Sequence, residues 1–168
     1  MTLINIGIAG CLGRMGQELV KEISDNKLIN FSGGFEHPQH EGINKNISDF
    51  IKINTDHIVS DNPRKIFSES NVIIDFTTPE STLQNIIIAA ELKKPIVIGT
   101  TGLDSRTIDV IKKYSENTPI LQSSNMSIGI NLMFNLVKLA ASKLRDVEYD
   151  IEIAETHHKH KVLSLIHV

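Results

Sequence analysis

Residues 3–9, LINIGIA, form a short isoleucine-rich apolar run, and the glycine-rich turn GCLGRMG follows at 10–16. From Arg14 onward the apolar residues Met15, Leu19 and Ile23 fall four apart. A run of that kind suits a strand buried on both faces, and the four-residue spacing is that of a helix face. A buried strand that turns at once into a helix constrains the fold strongly, because parallel strands need crossover connections and those are usually helical.

The alternation continues along the chain. LINFSGGFE (28–36) and NVIIDFT (71–77) read as strands, separated by a polar, less regular stretch over 37–70. Thr78-Pro79-Glu80 reads as a helix start, with Thr78 as N-cap and Pro79 at the first helical position, leading into LQNIIIAAELK. PIVIGTT (95–101) is a further strand, DSRTIDVIKKYSE (104–116) an amphipathic helix and TPILQSS (118–124) another strand. This order predicts an α/β fold: a Rossmann-type doubly wound parallel sheet. IGINLMFNLVKLAASKL (128–144) then predicts a long helix. After it, Val147, Tyr149, Ile151 and Ile153 alternate with Glu148, Asp150 and Glu152, as in a strand with one wet face opening a different sheet. The expected division is a nucleotide-binding domain over 1–125 and the incomplete beginning of an α+β domain over 126–168.

The chain has 168 residues, 40% of them apolar, which is enough for one ordinary core. Its net charge of -3, without runs of one sign, argues against nucleic acid as a partner. No apolar stretch is long enough to span a membrane, no Lys or Arg precedes the apolar start, and the single Cys11 cannot form an internal disulfide. A cytoplasmic location is expected.

The turn Gly10-Cys11-Leu12-Gly13-Arg14-Met15-Gly16 has the spacing G-x-x-G-x-x-G. A dinucleotide pyrophosphate needs backbone N–H groups at a helix N-terminus with no side chains in the way. Glycines at a strand-to-helix turn meet that need, although a turn requiring positive φ would also select them. Glu36 ends the second strand 20 positions beyond Gly16, where a carboxylate would meet the adenosine ribose hydroxyls. Cys11 is read as a small side chain tolerated beside the pyrophosphate rather than as a nucleophile. Phe76-Thr77-Thr78, Gly99-Thr100-Thr101-Gly102 and Ser123-Ser124-Asn125 stand at successive strand ends and would rim one crevice. Near the C-terminus, ETHHKHK (155–161) gathers three histidines and two lysines. Neighbouring residues on a strand face opposite ways and no Cys or H-E-x-x-H pairing accompanies them, so no metal site is expected.

GCLGRMG (10–16), IDFTTPEST (74–82), VIGTTGL (97–103), NMSIGIN (125–131) and IEIAETHHKHKV (151–162) together resemble the 4-hydroxy-tetrahydrodipicolinate reductase family, also called dihydrodipicolinate reductase, of bacterial lysine and diaminopimelate synthesis. The resemblance implies NAD(P)H-dependent reduction of a small cyclic dicarboxylate, a dinucleotide domain followed by a substrate domain, and a homotetramer. Position by position, it implies that Gly10, Cys11, Leu12, Gly13, Arg14 and Met15 hold the pyrophosphate and Glu36 the ribose. Gly99, Thr100, Thr101, Ser123, Ser124, Asn125 and Met126 would surround the nicotinamide. His157 would be the general acid/base, His158 a substrate contact and Lys161 the proton donor, a cationic setting that suits negative charge developing on the ring.

The sequence departs from that family at two places. Members that accept NADPH place a basic residue after the ribose glutamate, whereas His37 stands here, so of NADH and NADPH the expectation leans to NADH. After Lys161 the family continues through D-A-P-S-G-T-A, whereas this chain reads VLSLIHV, which does not resemble it. The expectation is therefore a C-terminally truncated reductase with impaired turnover. A surviving dinucleotide-binding module without catalysis is the alternative, and a different dehydrogenase is disfavoured by ETHHKHK. A separately encoded C-terminal half is a candidate partner, and the tetramer is not carried over to this chain. The strand at 147–155 would be left with an uncovered edge and apolar face, which predicts poor solubility or non-native association.

Overall fold

The computed structural model describes residues 3–145, 149–152 and 154. Five strands, β1 (Ile4–Ala9), β2 (Ile29–Phe35), β3 (Val72–Asp75), β4 (Ile96–Ile98) and β5 (Ile120–Gln122), form one parallel sheet in the order β2-β1-β3-β4-β5. Between them run α1 (Arg14–Asp25), α2 (Pro63–Glu69), α3 (Pro79–Leu92) and α4 (Ser105–Ser115). The chain goes from β1 to one side for β2 and then to the other side for β3. Such a reversal opens a crevice beyond the carboxyl ends of the two strands flanking it.

Period-two alternation gives the sheet two cores. Ile6, Ile8 and Phe31 pack with Val20 and Ile23 of α1 and with Ile47, Ile51 and Val59 of the β2–α2 connection. Ile73, Ile96 and Ile98 pack with Ile66 and Phe67 of α2 and Ile86 and Ala89 of α3. Each such side chain, fully buried, contributes about 1.5–3 kcal/mol relative to exposure. The irregular 37–60 stretch is tied to β2 by hydrogen bonds from Glu36 N to Ser60 O (3.0 Å) and from Ser60 N to Gly34 O (3.0 Å). That tie fixes where Glu36 leaves the sheet.

Three expectations are corrected. The helix expected from Met15, Leu19 and Ile23 forms, with Ile23 buried and Leu19 half-buried against the first core beside Gly16 and Val20, but Met15 at its start is exposed. The 37–70 stretch contains the helix α2, signalled by Asn62-Pro63, the same cap-and-proline pair that marked α3. Its seven residues are too few to display a helical period. Of the strand expected at 147–155, residues 149–152 and 154 are described and are not in a strand, and the other four lie outside the described residues. A strand exists only where a neighbour accepts its backbone bonds, and no described residue does so there.

The chain separates into two compact units, Met1–Ser124 and Asn125–Val168. The second begins with α5 (Ile128–Leu144), capped by Ser127, whose hydroxyl accepts from Ile130 N. No described helix is long and apolar enough to cross a membrane.

Candidate functional site

The three glycines of the first turn do three different things. Gly10 sits at φ +73°, where an L side chain is strained, and its N–H donates to Phe35 O of β2 at 2.9 Å. A Cβ there would also meet Phe76 O at 3.1 Å, so the turn lies against the end of β3. Gly13 is exposed and ends the turn, its N–H donating to Gly10 O at 3.1 Å. A Cβ on Gly16 would stand 1.9 Å from Gly10 O and 2.8 Å from Cys11 Cα, so only glycine lets α1 approach its own turn this closely.

The N-terminus of α1 differs from those of the other helices. Asn62, Thr78, Asp104 and Ser127 each cap their helix by accepting a backbone N–H, whereas Gly13 offers no side chain and the first turn of α1 holds no acidic residue. Orphan N–H groups and the positive end of a twelve-residue helix are thus presented together at the mouth of the crevice, an arrangement that fits a phosphate group.

Glu36, at the carboxyl end of β2, accepts a hydrogen bond from Leu12 N at 2.7 Å, while Gln17 Nε2 donates to Leu12 O at 2.8 Å. The carboxylate therefore stands within one hydrogen bond of the glycine turn. His37 is exposed beside it, its Nδ1 accepting from Gln39 N at 3.3 Å. Arg14 and Met15 are exposed at the start of α1, and Leu12 is buried in the first core.

Cys11 is fully buried, and a Cβ on Gly34 would fall 2.7 Å from its Sγ. Burial, reinforced by the nearby Glu36 charge, pushes the thiol up to about 12. The thiolate is the reactive form, so Cys11 is packing beneath the turn and not a nucleophile. The folded chain is expected to resist alkylation by iodoacetamide at neutral pH and to react fully once unfolded. Rapid labelling in the folded state would contradict this burial.

At the ends of β3 and β4 the structure brings together residues that are far apart in sequence. Gly99 N donates to Asp75 O at 2.9 Å, and a Cβ on Gly99 would strike the Phe76 ring at 2.1 Å. Thr77 N donates to Asp75 Oδ1 and to Thr100 Oγ1, each at 3.0 Å. The Thr100 hydroxyl is buried, donating to Asp75 Oδ1 at 3.3 Å and accepting from Thr82 Oγ1 at 2.9 Å, whereas Thr101 is exposed. Asp75 itself was not singled out from sequence. Its signal was an acid closing an apolar strand, but its partners Thr82, Asn85 and Thr100 come from other elements.

Ser123 follows β5, its N–H donating to Ile98 O at 3.1 Å, and Ser124 ends the first unit. Asn125 and Met126 open the second unit, where Ser127 N donates to Asn125 Oδ1 at 2.8 Å. His157, His158, His160 and Lys161 lie outside the described residues. Among the described residues no three His, Cys, Asp or Glu side chains are grouped to hold a metal ion.

A parallel sheet with its order reversed at β1, an uncapped glycine turn there and a carboxylate ending β2 define a dinucleotide-binding domain of the Rossmann type. Two family models match the chain: "Dihydrodipicolinate reductase, N-terminus" over residues 4–126, and "Dihydrodipicolinate reductase, C-terminus" over residues 129–164. The chain belongs to the dihydrodipicolinate reductase family, whose reductases use a nicotinamide cofactor. The C-terminal match runs two residues past Val162, where the resemblance was expected to stop.

The chain is 42% identical to the 4-hydroxy-tetrahydrodipicolinate reductase of Pelagibacter ubique over 161 residues, covering 96% of this chain and 58% of that one. It is 38% identical to that of Ehrlichia chaffeensis, covering 96% and 59%. It therefore spans somewhat under three fifths of the length of these curated relatives. In fold it is similar to a dipicolinate-bound dihydrodipicolinate reductase from Paenisporosarcina, with a TM-score of 0.69 at 23% identity, covering 84% of this chain and 54% of that one.

Proposed function

We propose that this chain is the cofactor-binding and acid/base-bearing part of an NAD(P)H-dependent 4-hydroxy-tetrahydrodipicolinate reductase acting in lysine and diaminopimelate synthesis, with NADH preferred. The observation that carries the reading is the uncapped, anion-ready N-terminus of α1 at the sheet's switch point with Glu36 beside it. In this reading Gly10 through Met15 hold the pyrophosphate, and Glu36 exchanges its bond to Leu12 N for the adenosine ribose hydroxyls. Gly99, Thr100 and Thr101, with Ser123 through Met126, surround the nicotinamide, which when bound supplies the hydride. His157 serves as general acid/base, His158 contacts the substrate and Lys161 donates the proton. His37 is exposed and lacks the fixed guanidinium charge that would meet a 2′-phosphate, which supports NADH over NADPH.

A second reading is a module that binds cofactor without turnover, which the α1 turn and Glu36 by themselves would support. NADH oxidation with freshly generated substrate distinguishes the two, measured on the 168-residue chain alone and after mixing with any separately encoded C-terminal half. NADH oxidation that requires the substrate, in either arrangement, is expected. NADH oxidation that stays absent in the mixture would overturn the reductase reading.

A further inference from the structure

Asp75 is the one fully buried carboxylate among the described residues, and it lies at the carboxyl end of the strand beside the switch point. Its Oδ1 accepts from Thr77 N (3.0 Å), Thr77 Oγ1 (2.6 Å) and Thr100 Oγ1 (3.3 Å), and its Oδ2 accepts from Asn85 Nδ2 (3.0 Å). Thr82 Oγ1 closes the network onto Thr100. An ionised carboxylate accepts at both oxygens and an amide at only one, so an acid at position 75 meets all of these donors as they stand, whereas an amide there would require Asn85 to turn its own oxygen inward. Burial pushes the Asp75 carboxyl above its usual range, and the hydrogen bonds from Thr77, Asn85 and Thr82 oppose that rise.

These bonds do not serve the sheet. Thr77 folds back onto Asp75 within its own segment, Asn85 anchors the carboxylate to α3, and Thr100 joins from the segment after β4, both donating to Asp75 Oδ1 and accepting from Thr77 N. A Cβ on Gly10 would already touch Thr77 Cγ2 at 3.0 Å. A dinucleotide laid from Glu36 across the α1 turn extends its other half over β3 and β4, because β2 and β4 lie on opposite sides of that turn.

We propose that Asp75 is a positioning residue that locks the Thr77 and Thr100 loops together so that their outward backbone forms the seat of the nicotinamide half of the cofactor. It touches neither cofactor nor substrate. This rests on the dinucleotide reading above, and it makes affinity for one half of the ligand depend on an acid buried beneath the other strand ends.

The test compares NADH with ADP-ribose, which carries the adenosine and pyrophosphate but no nicotinamide, as ligands of the whole chain. Asp75→Asn replaces a charged acceptor by a neutral one and meets an oxygen at its amide only if Asn85 turns, and it is expected to weaken NADH about tenfold while leaving ADP-ribose within about twofold. Exchanging the two groups, Asp75→Asn with Asn85→Asp, returns a carboxylate to the network and an amide-to-carboxylate bond between the two positions, and NADH affinity should return. If Asp75→Asn does not fold, Thr82→Val, which removes the hydroxyl held by Thr100, should show a smaller loss of the same ligand selectivity. Equal weakening of both ligands by the folded variants, or failure of the exchange to restore NADH, would overturn the proposal. Failure of the unsubstituted chain to bind either ligand would instead overturn the dinucleotide reading.

Discussion

Gly16→Ala is expected to destabilise the chain by about 3 kcal/mol or more, because the added carbon would stand 1.9 Å from Gly10 O and 2.8 Å from Cys11 Cα. Both neighbours are backbone of the turn, so relief requires α1 to move off that turn. That movement would open the core that Val20 and Ile23 close with Ile6 and Ile8. With total stabilities of about 5–15 kcal/mol, such a loss is a large part of the whole. Gly13→Ala is the informative contrast. Its Cβ would meet only Gly10 O, at 3.2 Å, so folding should survive while a methyl group projects at the uncapped helix end. Urea unfolding of the two variants, read beside NADH affinity, should separate a packing glycine from a ligand-approach glycine. Equal stability of Gly16→Ala and the unsubstituted chain would contradict the close approach of α1 to its turn.

Lys161→Ala and His157→Ala are expected to lower turnover about 10²- to 10⁴-fold in whichever assembly reduces the substrate, the usual range for loss of a positioned proton donor or acid/base group. The KM for NADH should hardly change, because these residues are proposed to act on the dicarboxylate. Glu36→Ala should do the reverse, raising the KM for NADH about tenfold at nearly constant kcat, as expected for removal of a charged hydrogen-bonding group. Steady-state kinetics on the three variants gives a crossed pattern that general damage to the fold would not produce. An unchanged rate in Lys161→Ala would remove that residue from the proton path.

Local chemistry made part of this architecture legible. The glycine turn, the Thr78-Pro79 cap, the Asp104 start and the isoleucine-rich strands each carry their instruction within a few residues. Short elements were harder: α2 needed only a cap, a proline and the buried pair Ile66 and Phe67, too little for a period to emerge. In α1 the spacing of Met15, Leu19 and Ile23 marked the helix, but only Leu19 and Ile23 reach the core and Met15 is exposed at its start. Asp75 was opaque for another reason. A lone acid in an apolar run says nothing of its partners, and Asn85 and Thr100 reach it from α3 and the end of β4, with Thr82 bonded behind Thr100. The roles of His157, His158 and Lys161 rest on family resemblance, since a row of polar residues does not disclose which atom receives a proton.

The central claim is that the α1 turn and Glu36 together hold a nicotinamide dinucleotide. Titration of the ¹⁵N-labelled chain with NADH, followed through backbone amide resonances, tests it most directly. The Leu12 amide should shift furthest, because Glu36 leaves it for the ribose, and Gly13, Arg14 and Met15 should move along the same saturation curve. Saturable binding that leaves those four amides in place would contradict the account.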